Sequence, residues 1–280
     1  MTLTPLPPLR DVLKEYGIEP KKWLGQNFLL DKNINDKITR AAGTVKNKTV
    51  LEIGPGPGGL TRSLLSAGAK SIVLIEKDKR FIPLLNEMSQ AFPGKLKILH
   101  GDATELDPTP FLTGEIKVIA NLPYNVSTVL LNKWLDQDLH ALNWKSLTLM
   151  FQYEVAKRIT AKAASRESSR ISLKAELFTN AKIAFQVAPE CFTPKPKVNS
   201  AIVHFEVLQK PRHQRREPQF SQITREAFGQ RRKMLRSSLK KLGGQSLIER
   251  LQKCGISPSQ RPENISLEQF CRLSFEINSV

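Results

Sequence analysis

Apolar residues fall along most of the chain in short runs set between longer stretches of mixed polarity. TVLEI (49–53), SIVLI (71–75), LKIL (96–99), IKVIA (116–120), SLTLMF (146–151), IAFQV (183–187) and SAIVHFEV (200–207) each have the length and β-branched content of a buried strand. They alternate with helical stretches, so the pattern predicts a mostly parallel sheet with covering helices. The last two runs are joined by a proline-rich loop, PECFTPKPKV, which is too short for a crossover helix. They are expected to pair antiparallel at the sheet edge. After Leu208 the pattern changes: QKPRHQRREPQ is polar, basic and proline-bearing, as a linker is, and from Phe220 the periodicity is helical. The expected organisation is one α/β domain over 1–208 and a small helical domain over 209–280.

Within VIANLPYNVSTVLL (118–131) the fourth apolar run stops at Asn121. Pro123 has no N–H to donate and cannot extend a central ladder, so Asn121-Leu122-Pro123-Tyr124 is expected to form a rigid loop at the strand's carboxyl end. Ligands of open α/β sheets bind at that edge.

A second loop at that edge is LEIGPGPGGL. Gly54, Gly56 and Gly59 satisfy G-x-G-x-x-G, and four glycines within six residues exceed what a turn needs, which points to close approach of a ligand. Glu76 ends the second run, where a carboxylate can accept both ribose hydroxyls of a nucleoside. Asp102, after the third run, can accept from an adenine exocyclic amine or act as a helix N-cap. Loop and carboxylates favour an adenosine-containing cofactor, and they suit NAD and S-adenosylmethionine equally.

The Asn-Leu-Pro-Tyr loop narrows the chemistry. An exocyclic aromatic amine is a poor nucleophile because its lone pair is delocalised into the ring. Two acceptors aimed at its protons, the Asn121 amide oxygen and the Leu122 carbonyl, would favour a more tetrahedral nitrogen. Tyr124 offers a face on which a base can stack. Rate enhancement would come from positioning an in-line attack on a sulfonium methyl, with no covalent enzyme intermediate.

Charge adds a partner. The 280 residues include 43 Lys+Arg against 26 Asp+Glu, a formal charge of +17, which favours a polyanion. Residues 209–245 hold eleven Lys+Arg and two Glu, a net of +9. On a helix starting near Gln230, Met234, Leu235, Leu239 and Leu242 would form a packing stripe with Arg231 among them. Arg232, Lys233, Arg236 and Lys240 would face phosphates. Arg231, on the packing side, must snorkel or find a carboxylate partner, and is expected to hold the helical domain against the catalytic one. No apolar stretch reaches the length of a membrane span, and the opening residues lack a secretory core, so a cytoplasmic protein is expected. Cys191, Cys254 and Cys271 show no metal-ligand spacing and no disulfide framework, so no metal site is expected.

KKWLGQNFL (21–29), LEIGPGPGGLT (51–61), IEKD (75–78), GDATEL (101–106), NLPYNVST (121–128), FTPKPKVNSA (192–201) and FGQRRKMLRSSL (228–239), in this order, resemble the ribosomal RNA adenine N6-dimethyltransferases, the kasugamycin-resistance enzymes of bacteria and their eukaryotic relatives. The resemblance covers most of the chain. It implies a Rossmann-like class I methyltransferase sheet of seven strands, the last antiparallel, with a small C-terminal all-helical domain that binds rRNA. It implies that Asn27, Leu29, Gly54, Glu76, Asp102 and Asn121 line an S-adenosylmethionine site, and that Phe192 closes on the target adenine opposite Tyr124. The implied substrate is two adjacent adenines in a hairpin near the 3′ end of small-subunit (16S) rRNA within the pre-30S ribosomal subunit. Each adenine would be methylated twice at N6. A monomer is expected, although the sequence does not fix the oligomeric state. Departures from the family pattern at Tyr153, Val129 and Ser168-Ser169-Arg170-Ile171-Ser172 leave the cofactor residues untouched, but put the conformation of the 163–170 loop in question.

Competing readings make different demands. An NAD-dependent dehydrogenase accounts for the glycine loop and Glu76, but not for Asn121 to Tyr124 or the basic segment. A non-catalytic RNA-binding or transcription-factor relative would be expected to lose Asn121 or Tyr124, and both are present. A large-subunit rRNA adenine N6-methylase shares the catalytic loop, whereas FTPKPKVNSA and GQRRKMLRSSL favour the small-subunit enzyme.

Overall fold

The computed structural model describes residues 6–137, 139 and 142–277. Its strands are β1 (Phe28–Leu29), β2 (Thr49–Ile53), β3 (Ser71–Glu76), β4 (Leu96–His100), β5 (Ile116–Ala120), β6 (Trp144–Gln152), β7 (Thr179–Val187), β8 (Phe192–Thr193) and β9 (Ser200–Val207). Seven of them form one sheet in the order β4-β3-β2-β5-β6-β9-β7, and β1 pairs with β8 separately. Every run read as a strand is one. The pairs β2–β3, β3–β4, β2–β5 and β5–β6 are parallel. β6 and β9 are antiparallel, from Ser146↔Glu206 to Gln152↔Ser200. Strand order reverses between β2 and β5, which opens a crevice beyond their carboxyl ends.

The residue pattern explains these positions. Every residue of β2 is buried, as in a strand covered on both faces, whereas β7 alternates between covered and open positions, as an edge strand with one free face does. Helices α1 (Leu9–Glu15), α2 (Lys32–Ala41), α3 (Gly59–Ser66), α4 (Ile82–Ala91) and α5 (Tyr124–Leu135) belong to the sheet-bearing part. Its core gathers Ile38, Val50, Leu64, Ile72, Leu74, Phe81 and Leu85, all fully buried. The remaining helices are α6 (Tyr153–Ile159), α7 (Arg170–Phe178), α8 (Gln219–Gly229), α9 (Leu235–Ser238), α10 (Lys240–Gly243), α11 (Leu247–Lys253) and α12 (Leu267–Glu276).

Two compact units result: Met1–Ala156 with Lys182–Val207, and Lys157–Ala181 with Leu208–Val280. The division differs from the single boundary expected after residue 208, because residues 157–181 go with the C-terminal helices. Leu173 and Leu177 of α7 are buried in one apolar cluster with Phe220, Ile223, Leu239 and Phe270. The backbone agrees: Leu208 N and Arg212 N donate to the Phe178 and Leu177 carbonyls, both at 2.9 Å. The Ser168-to-Ser172 departure has a local role here. Ser169 caps α7, its hydroxyl accepting from Ser172 N while the Ser172 hydroxyl accepts from Ser169 N, a reciprocal box that satisfies two otherwise unpaired donors.

The basic helix expected from Gln230 is absent. Residues 230–233 form a turn closed by Lys233 N on the Gln230 carbonyl, and Met234 is extended, with φ −67 and ψ 150. α9 starts only at Leu235, where its first N–H groups reach outside the helix, from Leu235 to the Gln260 carbonyl and from Arg236 to that of Pro258. Leu235 and Leu239 are buried as expected, but Met234 is 40% exposed. Arg231 takes the Glu263 carboxylate and the Arg166 carbonyl as partners, both in its own unit. It therefore ties the Gln230 turn to the 157–181 segment.

Candidate active site

Chain reversal at Gly54 begins the site. Gly54 N donates to the Ile75 carbonyl at 2.8 Å, so the ladder of β2 with β3 runs to the first residue of the loop. Gly54 and Gly56 have φ of +64° and +53°, and a Cβ at either would meet nothing within 4 Å. The open space beside them is a cavity of about 260 Å³ at the carboxyl edge of the sheet. Gly59 has another task. A Cβ there would lie 2.9 Å from Asn35 Nδ2 and 3.1 Å from the Leu29 carbonyl, so it lets α3 pack close to α2 and β1.

Glu76 closes β3 with its carboxylate turned back to the glycine loop. Oε2 accepts from Gly56 N at 2.9 Å and Oε1 from Asp78 N at 2.7 Å, and the residue is 5% exposed. Burial raises its pKa, opposed by these backbone donors, while the Asp78 charge adds to the rise. Each carboxylate oxygen still has lone-pair capacity toward the cavity, which both Glu76 and the glycines line. Asp102 also lines it, but its oxygens are engaged. Oδ1 accepts from Thr104 N and Oγ1, making an Asx turn and no helix cap, and Oδ2 accepts from Lys77 Nζ at 2.7 Å. Lys77, then Thr104, hold this carboxyl down at about 2.

β5 ends at Ala120, and the following turn faces the same cavity. Pro123, with φ −56 and ψ 137, stands at the N-cap of α5, so Tyr124 is the first residue of the helix, and the Pro123 carbonyl accepts from Val126 N and Ser127 N. Asn121, Leu122 and Tyr124 all line the cavity. The Tyr124 hydroxyl shares a 2.6 Å hydrogen bond with Ser200 Oγ, which sets the ring orientation from β9.

The 21–29 segment supplies another wall. Asn27 and Leu29 line the cavity, with Asn27 Nδ2 held by the Gly25 carbonyl at 3.2 Å. Gly25, with φ +66°, lies beside the Asn121–Tyr124 turn: a Cβ there would lie 3.3 Å from Asn125 Oδ1 and 3.4 Å from Pro123 Cβ. A polar network fixes the segment. Gln26 Nε2 donates to Asp78 Oδ2 at 2.9 Å, and Arg80 grips both Asp78 oxygens while reaching Gln26 Oε1 and the Glu19 carbonyl. Burial would raise the Asp78 carboxyl, yet Arg80 and Gln26 hold it at about 2.

Sequence reasoning assigned no role to Gln26, Asp78 or Arg80, although two of them lie in stretches that resemble the family. It also passed over Glu52, a carboxylate within an otherwise apolar strand. Glu52 lines the cavity, is 1% exposed and accepts from Thr61 Oγ1 at 2.8 Å. Burial pushes its pKa up to about 8, the Thr61 hydrogen bond opposing and Glu76 adding to the rise. The readable signal was a single acid in the otherwise apolar run TVLEI.

Asn27, Leu29, Gly54, Glu76, Asp102, Asn121, Leu122 and Tyr124 thus come together around one cavity. Phe192 does not join them. It pairs with Leu29 across the β1–β8 bridge, is 4% exposed, and belongs to the core with Phe28, Val187 and Ile202. Phe192 is thus covered in this structure, beside Leu29, which lines the cavity. Arg232, Lys233, Arg236 and Lys240 are exposed on the C-terminal unit. Among the described residues no group of His, Cys, Asp and Glu could hold a metal ion, and no helix is long and apolar enough to cross a membrane.

The cavity fits an adenosine-bearing sulfonium: open backbone at Gly54 and Gly56, two carboxylates spaced along the strand ends, and an apolar floor that includes Ile53, Leu122 and Met150. Comparison with known proteins agrees with that chemistry. A family model described as "Ribosomal RNA adenine dimethylase" matches residues 18–279. A ribosomal RNA small subunit methyltransferase A from Cereibacter sphaeroides is 51% identical over 269 residues, 96% of this chain and 96% of the relative. Its counterpart from Rhizobium meliloti is 48% identical over 269 residues, 96% of this chain and 97% of that protein. Among solved structures, a dimethyladenosine transferase from Plasmodium falciparum superposes with a TM-score of 0.72 at 25% identity, covering 88% of this chain and 95% of the other. The 23S rRNA methyltransferase ErmE shares the fold, with a TM-score of 0.67 at 23% identity over 90% of this chain and 99% of its own.

Proposed function

Since the chain belongs to the ribosomal RNA adenine dimethylase family, we propose that its cavity carries out S-adenosylmethionine-dependent methylation at N6 of two adjacent adenines in a hairpin near the 3′ end of small-subunit rRNA. The chain is an rRNA adenine dimethylase that uses S-adenosylmethionine. The choice of adenines, the roles of single residues, the monomeric state and a cytoplasmic location belong to the proposal.

The observation that carries the mechanism is the Asn121-Leu122-Pro123-Tyr124 turn beside Glu76 and the glycine loop in one cavity. Bound S-adenosylmethionine supplies an electrophilic methyl group on a positively charged sulfur. Glu76 would accept from the ribose hydroxyls, and its two backbone donors keep the carboxylate aimed. Asp102, once released by Lys77, would accept from the cofactor's adenine amine. The Asn121 amide oxygen and the Leu122 carbonyl would accept the two protons of the target amine, which gathers the lone pair on nitrogen for attack on the methyl group; the nitrogen would gain that methyl as the sulfur kept the S–C electron pair, and would then give up a proton to solvent. Tyr124, oriented by Ser200, stacks on the target base. After the first transfer one N–H remains, and one acceptor suffices to orient it for the second.

Methyl transfer to small subunits lacking the modification, followed by nucleoside analysis, tests the reading, with N6,N6-dimethyladenosine the expected product. Asn121→Ala should reduce transfer at least about a hundredfold, the scale of removing one positioning group from a reacting geometry, while the thermal melt stays unchanged. Wild-type-like turnover in that variant would overturn the role of the turn.

A further inference from the structure

Of the described aromatic side chains in the sheet-bearing unit, Trp23 stands furthest into solvent, ahead of Phe111. It is 74% exposed, the most exposed of the large apolar side chains among the described residues, and it also lines the cavity. The other two tryptophans, Trp134 and Trp144, are 5% and 4% exposed and meet edge to face in the core. A singly exposed indole is ordinary by itself, but Trp23 also lines the cavity, where its flat apolar face meets whatever enters.

The surroundings identify that occupant. Trp23 lies two residues before Gly25, where a Cβ would come within 3.4 Å of Pro123 and Asn125, so it sits on the segment that runs beside the Asn121–Tyr124 turn. The Lys21 ammonium stands 5.6 Å from the indole centroid, a cation beside an exposed π face. An aromatic plane paired with a positive charge along a strand path is how proteins hold single-stranded nucleic acid, one base per ring, without regard to its identity. A hydrophobic protein partner would instead require a wider apolar patch, and two lysines, Lys21 and Lys22, immediately precede Trp23 in sequence.

We propose that Trp23 stacks on the base next to the one seated on Tyr124, with Lys21 meeting the adjoining phosphate. Trp23 thereby holds the flanking nucleotide out of the helix while its neighbour reacts. The assignment rests on the methyl-transfer reading above. It makes Trp23 a substrate-binding residue for two consecutive adenines, since whichever adenine is outside the pocket occupies the indole.

Fluorescence tests this separately from activity, because Trp23 is the tryptophan that a neutral quencher can reach while Trp134 and Trp144 are shielded. The probe is a synthetic RNA hairpin with two adjacent adenines in its loop, added to the full chain. The hairpin should reduce acrylamide quenching, and Trp23→Phe should remove that protection while keeping hairpin affinity within about threefold. On unmodified small subunits, Trp23→Ala should raise KM roughly tenfold, within the range of one base–aromatic stack, with kcat within about twofold and an unchanged melting temperature. Unchanged quenching at saturating hairpin, or a Trp23→Ala KM within twofold of the parent, overturns the stack. Protection by the hairpin with weaker binding by Trp23→Ala, but no dimethyladenosine from the parent protein, would support the stack while overturning the methyl-transfer reading.

Discussion

Glu52 is an acid among Thr49, Val50, Leu51 and Ile53 in a strand covered on both faces, and its proton is coupled to folding. The unfolded chain ionises it near its ordinary 4.5, whereas burial keeps the folded carboxyl protonated up to about 8. Between those values the native state binds the extra proton, so stability falls as pH rises and levels off above about 8. Glu52→Gln keeps an acceptor for Thr61 and removes the titration. Its melting temperature should therefore decline less than the parent's from about pH 5 to pH 9, and an identical decline would place the titration elsewhere. Asp102 and Lys77 make a complementary case on the exposed side of the cavity. Their side chains are 24% and 62% exposed, so solvent screens the pair and it can be displaced. If Lys77 competes with the cofactor's adenine for Asp102, Lys77→Ala should tighten S-adenosylmethionine binding about twofold to fivefold by calorimetry. Weaker binding would make Lys77 a direct ligand of the cofactor rather than a competitor.

Among the elements, the close approach of α3 to α2 and β1 depends on one missing Cβ. A methyl at Gly59 would press on Asn35 Nδ2 at 2.9 Å, Leu9 Cδ1 at 3.0 Å and the Leu29 carbonyl at 3.1 Å. Asn35 Nδ2 in turn holds the Leu29 and Asp31 carbonyls, each at 3.1 Å. Gly59→Ala should cost about 1–3 kcal/mol by overpacking, and it should weaken cofactor binding because Leu29 lines the cavity. Gly229→Ala is the control, since a Cβ there meets nothing within 4 Å. Denaturant melts of both variants check the contrast, and equal stabilities would show that α3 has room to retreat.

Across the whole molecule, net charge of +17 and the cluster in 209–245 direct the protein to polyanions, but neighbours in that cluster differ in what they do. Arg231 is committed to Glu263 and the Arg166 carbonyl, whereas Arg232 and Arg236 are exposed. Arg231→Ala should lower the melting temperature. Arg232→Ala or Arg236→Ala should leave it unchanged and flatten the salt dependence of rRNA binding by about 0.7–0.9 for each phosphate no longer neutralised. Salt-titrated binding beside thermal melts decides it, and a reduced slope for Arg231→Ala with full stability would reverse the assignment. The same region marks how far the chain's pattern reads without its fold. Strands such as TVLEI and IKVIA, the glycine loop, Glu76, Asp102 and the Asn121 turn were legible because each depends on local chemistry: apolar runs, permissive backbone, and a proline that ends a ladder. Three features were set by partners distant in sequence. Phe192 is covered because β8 finds β1, residues 157–181 join the C-terminal helices because Leu173 and Leu177 find Phe220 and Phe270, and the basic segment starts its helix at Leu235 because Gln260 and Pro258 offer it carbonyls. Local sequence determines which conformations a segment can adopt and which chemistry it can bring. Tertiary structure decides which side chains are covered, because burial depends on what arrives from elsewhere in the chain.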